Sequence, residues 1–173
     1  MKRLFIAVNI PEEIKEEISR QILSEIIGKT FKVAGKENLH FTAAFLGNFP
    51  EEKIPELKNK LSEIELKKFR VSFSDLGEFN KRILFLNVEK GFNELIELSK
   101  KINEALEIKD EKFHPHLTLL RIRNEHKQEI ESLLSIKFSL KKEFEVNSFE
   151  LMESKLSSQG PVYSVLESFK LSD

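Results

Sequence analysis

The chain has no cysteine, which rules out disulfides and thiolate metal sites while leaving the compartment open. It also lacks a long apolar run. The amino terminus passes from Met1-Lys2-Arg3 through Leu4–Val8 and then meets Asn9 and Pro11, too short a stretch for a signal core or a membrane span, so a cytoplasmic protein is expected. Neither sign of charge is in excess. With 28 Lys and Arg against 29 Asp and Glu, net −1, no global positive field holds long nucleic acid, and any RNA contact should be local and short. No Pro/Gly/Ser-rich linker or low-complexity segment divides the 173 residues, which fit one domain or one body of two similar lobes.

Histidine is scarce as well, with four in the chain, and two of them stand in matching settings. Leu39-His40-Phe41-Thr42-Ala43-Ala44-Phe45 and Phe113-His114-Pro115-His116-Leu117-Thr118-Leu119-Leu120-Arg121 each carry His-x-Thr in an apolar run, 76 residues apart. On a strand, side chains at i and i+2 share a face, so each motif sets an imidazole beside a hydroxyl. Two such strands side by side would frame a small anion. Imidazole titrates near neutrality, so a pair can supply one base and one acid. Threonine hydroxyls can donate to non-bridging phosphate oxygens. In-line phosphoryl chemistry needs a base on one side of phosphorus and an acid on the other.

The rest of the chain surrounds these motifs in two similar passes. Residues 3–9 read as a strand buried on both faces. Pro11 then opens a helix whose stripe is Ile14, Ile18, Ile22 and Ile26, ended by Gly28. Residues 30–33 and 39–45 read as a strand pair joined through Ala34-Gly35-Lys36, and Gly47-Asn48-Phe49-Pro50 as a turn. A helix with Pro55 in its first turn buries Leu57, Leu61 and Ile64, and one strand from Phe69 continues irregularly towards Phe79. Asn80-Lys81 turns into the run Arg82-Ile83-Leu84-Phe85-Leu86-Asn87-Val88, which echoes Arg3–Val8 and is again followed by a helix, with Phe92, Leu95, Ile96, Ser99, Ile102 and Leu106 in line. After the second motif come a short helix over 124–134 and strands over 138–146, 148–155 and 162–169, the last two a hairpin. The chain reads as duplicated.

The paired motifs His40-Phe41-Thr42-Ala43 and His116-Leu117-Thr118-Leu119, with Arg121 closing the second, resemble the two-histidine phosphoesterases. More narrowly, Arg3-Leu4-Phe5-Ile6-Ala7-Val8 and Gly160-Pro161-Val162-Tyr163-Ser164-Val165-Leu166 resemble the ends of the bacterial and archaeal RNA 2',3'-cyclic phosphodiesterases, also called 2'-5' RNA ligases. The resemblance implies hydrolysis of RNA or nucleotide 2',3'-cyclic phosphates to 2'-phosphomonoesters, with no cofactor. By the same resemblance His40 is the proton donor, His116 the proton acceptor, and Arg121 reaches the substrate. Two alternatives stay open: the reverse reaction, 2'-5' ligation, and a noncatalytic module that binds RNA ends. The expected architecture is α+β, with two pseudo-symmetric halves, about 1–80 and 81–173. Each half is an antiparallel sheet with helices outside, and the cleft lies between them. A monomer with no membrane partner is expected.

Each residue has a plainer reading. A histidine in an apolar strand is commonly a packed core residue, and Thr42 and Thr118 fit as ordinary strand formers. His114-Pro115-His116 invites a metal, but no carboxylate lies near either motif on the same strand face, so no metal is expected. His114 shares a strand face with His116 and reads as a structural residue, with a place at the cleft rim as the alternative, and His126 reads as helix surface. Strict alternation puts Arg121 on the face opposite His116, so reaching phosphate requires a bend or bulge. Lys36, Arg123 and Lys155 read equally as RNA contacts or plain surface, and Tyr163 and the phenylalanines as base-stacking candidates or core.

Overall fold

The computed structural model describes residues 1–26, 31–109, 113–122, 124–140, 143–158 and 160–173. Strand β1 (Lys2–Asn9) lies in the middle of the sheet, with Leu4–Val8 buried on both faces as its unbroken apolar run predicts. Helix α1 (Glu12–Ile18) continues through a π-helical segment, Ser19–Leu23, into α2 (Ser24–Ile26). The segment has a physical reason. A stripe at strict i+4 spacing drifts about 40° per step on an α-helix of 3.6 residues per turn, and the wider π turn takes up that drift. Ile14, Ile18, Ile22 and Ile26 all end fully buried. The expected stop at Gly28 lies outside the described residues.

The remaining strands are β2 (Lys32–Val33), β3 (His40–Phe49), β4 (Phe69–Val71), β5 (Phe73–Phe79), β6 (Ile83–Val88), β7 (His116–Arg121), β8 (Phe144–Val146), β9 (Ser148–Ser157) and β10 (Gly160–Lys170). Helices α3 (Ile54–Ser62), with Pro55 in its first turn, α4 (Phe92–Leu106) and α5 (Ile130–Leu134) complete the fold. The α+β class is as expected. One antiparallel sheet runs in the order β10-β9-β1-β3-β7-β6-β5, with β2 attached to β7, and β4 and β8 form a small second sheet. The sheets expected of two lobes thus meet as one, joined by β3 and β7 at the single pair Phe41 and Leu117. Outer strands cross the midpoint of the sequence: β9 and β10 extend the sheet beside β1, and β5 pairs with β6.

Four local expectations need correction. Residues 32–33 pair with β7, through Lys32 with Arg121 and Val33 with Leu120, and not with the first motif strand. The chain does not turn at Gly47. It continues to Phe49 past a bulge where Leu46 is unpaired, and Gly47 takes φ +66°, which its missing β-carbon permits. The strand expected from Phe69 to Phe79 is two, because at Ser72 the chain passes from the small sheet to the main one and exchanges backbone hydrogen bonds with Glu89 and Lys90. Likewise, among the described residues of the expected 138–146 strand, Phe144–Val146 alone form a ladder.

The two faces of the main sheet differ. Leu4, Ile6, Val8, Phe41, Leu84, Leu86, Leu117 and Leu119 pack with the helices in one large core. The opposite face, reached by alternate residues, carries a separate small cluster of Phe5, Ala7 and Met152 under Tyr163. Both His-x-Thr motifs open onto that second face.

Candidate active site

His40 and Thr42 are half-buried while Phe41 between them is in the core, and His116, Thr118 and Leu117 repeat the pattern. The strands are antiparallel at Phe41 and Leu117, so both imidazoles and both hydroxyls face one cleft. In each motif the ring is fixed by the backbone two residues earlier. His40 Nδ1 lies 2.6 Å from the carbonyl oxygen of Asn38, and His116 Nδ1 lies 2.7 Å from that of His114. A carbonyl only accepts, so each Nδ1 donates and each Nε2 is left with its lone pair. His40 Nε2 is 3.0 Å from the Thr42 hydroxyl.

Aromatic rings hold the imidazoles further. Phe5 and Tyr163 lie 5.1 and 5.3 Å from His40, and Phe79 and Phe85 lie 5.0 and 5.1 Å from His116. Such apolar walls disfavour a charged ring. Burial pushes His40 down to about 4, with Lys15 and His116 adding small charge effects and the Asn38 carbonyl opposing. Burial lowers His116 too, helped by the charges of His114 and Arg121. Burial therefore favours the neutral form of both rings before substrate binds.

Arg121 reaches this face because β7 carries the bulge that alternation demands. Phe85 pairs with Thr118 and Leu84 with Leu120, leaving Leu119 as the extra residue. Leu119 and Leu120 are buried in succession, and Arg121 emerges on the face of His116 and Thr118. Its charge acts on His116 and on Tyr163. The first motif repeats this too: Ala7 pairs with Thr42 and Ile6 with Ala44, skipping Ala43, so Phe45 emerges where Arg121 does and is 73% exposed.

The other sequence candidates are placed elsewhere or unequally. His114 is exposed and packs against Phe79, Phe85 and Phe92, while its carbonyl orients His116. His126 is half-buried rather than plain surface, 2.9 Å from Glu129 Oε1 and against the ring of Phe31. Lys36 pairs with Glu12 and Glu16 beside α1, and Lys155 is exposed near Glu153. Arg123 lies outside the described residues. Among the described residues no three His, Asp or Glu side chains gather as a metal site would need.

Two asparagines were not anticipated. Asn9 is the cross-strand partner of His40, and Asn87 that of His116. Asn9 donates from its backbone and its amide to Glu150, a buried carboxylate that also takes the hydroxyls of Ser148 and Ser168. Asn87 donates to Asp75. The available signal was a polar residue closing the first apolar run and another interrupting the second. Measured from the two motifs, Ala7 holds the place of Phe85 and Asn9 that of Asn87, one place off a match of Arg3 with Arg82.

Residues 10–157 match the family model of the 2'-5' RNA ligase superfamily. The chain is 32% identical to an RNA 2',3'-cyclic phosphodiesterase of Archaeoglobus fulgidus, covering 97% of this chain and 99% of that protein. It is 33% identical to one from Methanocaldococcus jannaschii, covering 95% and 98%. Among solved structures, Escherichia coli LigT in its apo form superposes with a TM-score of 0.83 at 26% identity, covering 99% of this chain and 98% of that one. LigT complexed with 3'-AMP superposes at 0.81 with the same identity and coverage. No helix among the described residues is long and apolar enough to cross a membrane.

Proposed function

The chain belongs to the 2'-5' RNA ligase superfamily, and from that premise we propose that it hydrolyses 2',3'-cyclic phosphate ends of RNA or nucleotides to 2'-phosphomonoesters. The observation that carries the reading is the matched pair of imidazoles, each donating Nδ1–H to the carbonyl two residues back, so that both Nε2 atoms serve one cleft. Such a pair can attack and release on opposite sides of one phosphorus.

In this mechanism His116 Nε2 takes a proton from water as the water oxygen bonds to phosphorus. The bond to the 3'-oxygen breaks, and His40 gives that oxygen a proton. Thr42 and Thr118 donate to the non-bridging oxygens, and Arg121 places a two-pronged positive charge where negative charge develops. Phe45, exposed on the cleft face, stacks the terminal base. Burial creates one requirement. With His40 at about 4, the proton that it must deliver arrives only once the anionic phosphate is bound beside it. The proposal extends to a duplicated, monomeric, cytoplasmic protein, its halves exchanging outer strands.

Purified protein with 2',3'-cyclic AMP tests the reading. Accumulation of 2'-AMP supports hydrolysis, whereas saturable binding without turnover supports a module that holds RNA ends. End-joining that exceeds hydrolysis when RNA with a 5'-hydroxyl is added would favour ligation.

A further inference from the structure

The acid–base reading leaves Asn87 unused, yet the sheet is locally built around it. It lies cross-strand from His116 on the cleft face, and on its other side β5 carries extra length. Phe73 pairs with Val88 and Leu76 with Leu86, so Ser74 and Asp75 share the single place opposite Asn87. A bulge re-aims a side chain, and here it brings Asp75 onto the amide: Asn87 Nδ2 and the Ser74 hydroxyl each lie 3.0 Å from Asp75 Oδ1. Gly77 makes room for this, since a β-carbon there would lie 2.5 Å from the Phe85 ring and 3.0 Å from Asn87 Nδ2.

The orientation of the amide follows from chemistry. An ionised carboxylate only accepts hydrogen bonds, so the amide nitrogen must face β5. Strand β6 lies between β5 and β7, so the amide oxygen is turned away from β5 to the side of His116. An oriented acceptor with no hydrogen-bond donor among the described residues thus stands beside the proposed base.

We infer that Asn87, held by Asp75, positions the attacking water. The inference rests on the reading of His116 as base. Water has two hydrogens: one points to His116 Nε2 and the other to Asn87 Oδ1, which aims the oxygen lone pair at phosphorus. As the new oxygen–phosphorus bond forms, the first hydrogen passes to His116 as a proton. The bond to the 3'-oxygen breaks and that oxygen takes the proton of His40. The second hydrogen stays on the new phosphate oxygen. An alcohol has a single hydroxyl hydrogen, which the base takes, so alcoholysis has no use for Asn87.

That difference is the test. Turnover of 2',3'-cyclic AMP in water–methanol mixtures yields 2'-AMP and its phosphate methyl ester, and their ratio reports the choice of nucleophile. Asn87→Ala is expected to lower the hydrolytic rate about tenfold, the cost of one hydrogen bond of roughly 1.4 kcal/mol in the transition state, with methanolysis much less affected. The product ratio then moves towards the methyl ester. Asp75→Ala, at an exposed position, moves it the same way by less and carries the test alone if Asn87→Ala does not fold. Equal loss of both products, or no loss, in the folded variants would overturn the role of Asn87. A folded wild-type protein inert to cyclic AMP would instead overturn the hydrolase reading.

Discussion

Phe45 on β3 and Arg121 on β7 occupy matching places: each follows a His-x-Thr by three residues, each comes out of a bulge, and each faces the cleft. In the proposed mechanism the equivalence divides labour between the two strands. A flat apolar ring suits a base, and a guanidinium suits the phosphate it hangs from.

For Arg121 the prediction concerns turnover. Arg121→Lys replaces a planar fork by a point charge on a flexible stem, so kcat should fall by about one to two orders of magnitude, the range set by losing one charge-assisted contact in the transition state. Steady-state kinetics on 2',3'-cyclic AMP checks it, and an unchanged kcat and KM would return Arg121 to the surface.

Phe45→Ala should act mainly on binding. Loss of a base stack is worth about 1–3 kcal/mol, so KM for cyclic AMP should rise at least several-fold. The side chain is exposed, so the melting temperature should hardly move. A KM unchanged within error would remove Phe45 from the base site.

How much of this was legible without coordinates follows from what a sequence encodes locally. The His-x-Thr pairs were readable because the same-face rule needs no partner strand. A bulge is different: Ala43-Ala44 and Leu119-Leu120 look like ordinary strand, and only the register against β1 and β6 shows the residue that is skipped. Gly47 gave the same signal for a turn as for a bulge, and the pairing of Leu4 with Gly47 decides for the bulge. The attachment of residues 32–33 to β7 is a contact across the whole chain, beyond the reach of local pattern. Asn87 was overlooked because an asparagine in an apolar run is informative only once Asp75 is seen beside it.

The rate of reaction at limiting substrate should favour mildly acid conditions. At limiting substrate the rate follows the fraction of free protein with one proton on the pair, whatever the order in which proton and phosphate arrive, and burial lowers both imidazoles, His40 to about 4. The one-proton form is therefore most populated on the acid side of pH 6.5, and kcat/KM should peak there and decline towards pH 8. The limbs belong to the pair and not to either ring. The bound phosphate raises both values, so the kcat optimum should lie at higher pH. Coincident optima at or above pH 7.5 would contradict the buried, neutral pair.

Stability should carry the same mark. An unfolded histidine takes its proton near pH 6.5, whereas His40 in the fold resists until about 4. Between these values the unfolded chain binds the extra proton, so falling pH destabilises the protein, by an amount on the order of 3 kcal/mol once pH is below 4. Above pH 6.5 this contribution vanishes. Urea unfolding across pH 4 to 7 should show a shallower acid slope for His40→Gln than for the wild type, and identical slopes would contradict the burial of His40.

The central claim, that one imidazole gives a proton and the other takes one, is tested most directly by replacing the 3'-oxygen of the cyclic phosphate with sulfur. A thiolate leaves with little need of protonation, so the acid becomes dispensable while the base does not. His40→Ala should be severely impaired on the ordinary substrate and largely recover on the 3'-thio analogue, whereas His116→Ala should stay impaired on both. Rescue of His116→Ala alone would exchange the roles. Rescue of neither would contradict the account, leaving two histidines that hold the phosphate without moving protons.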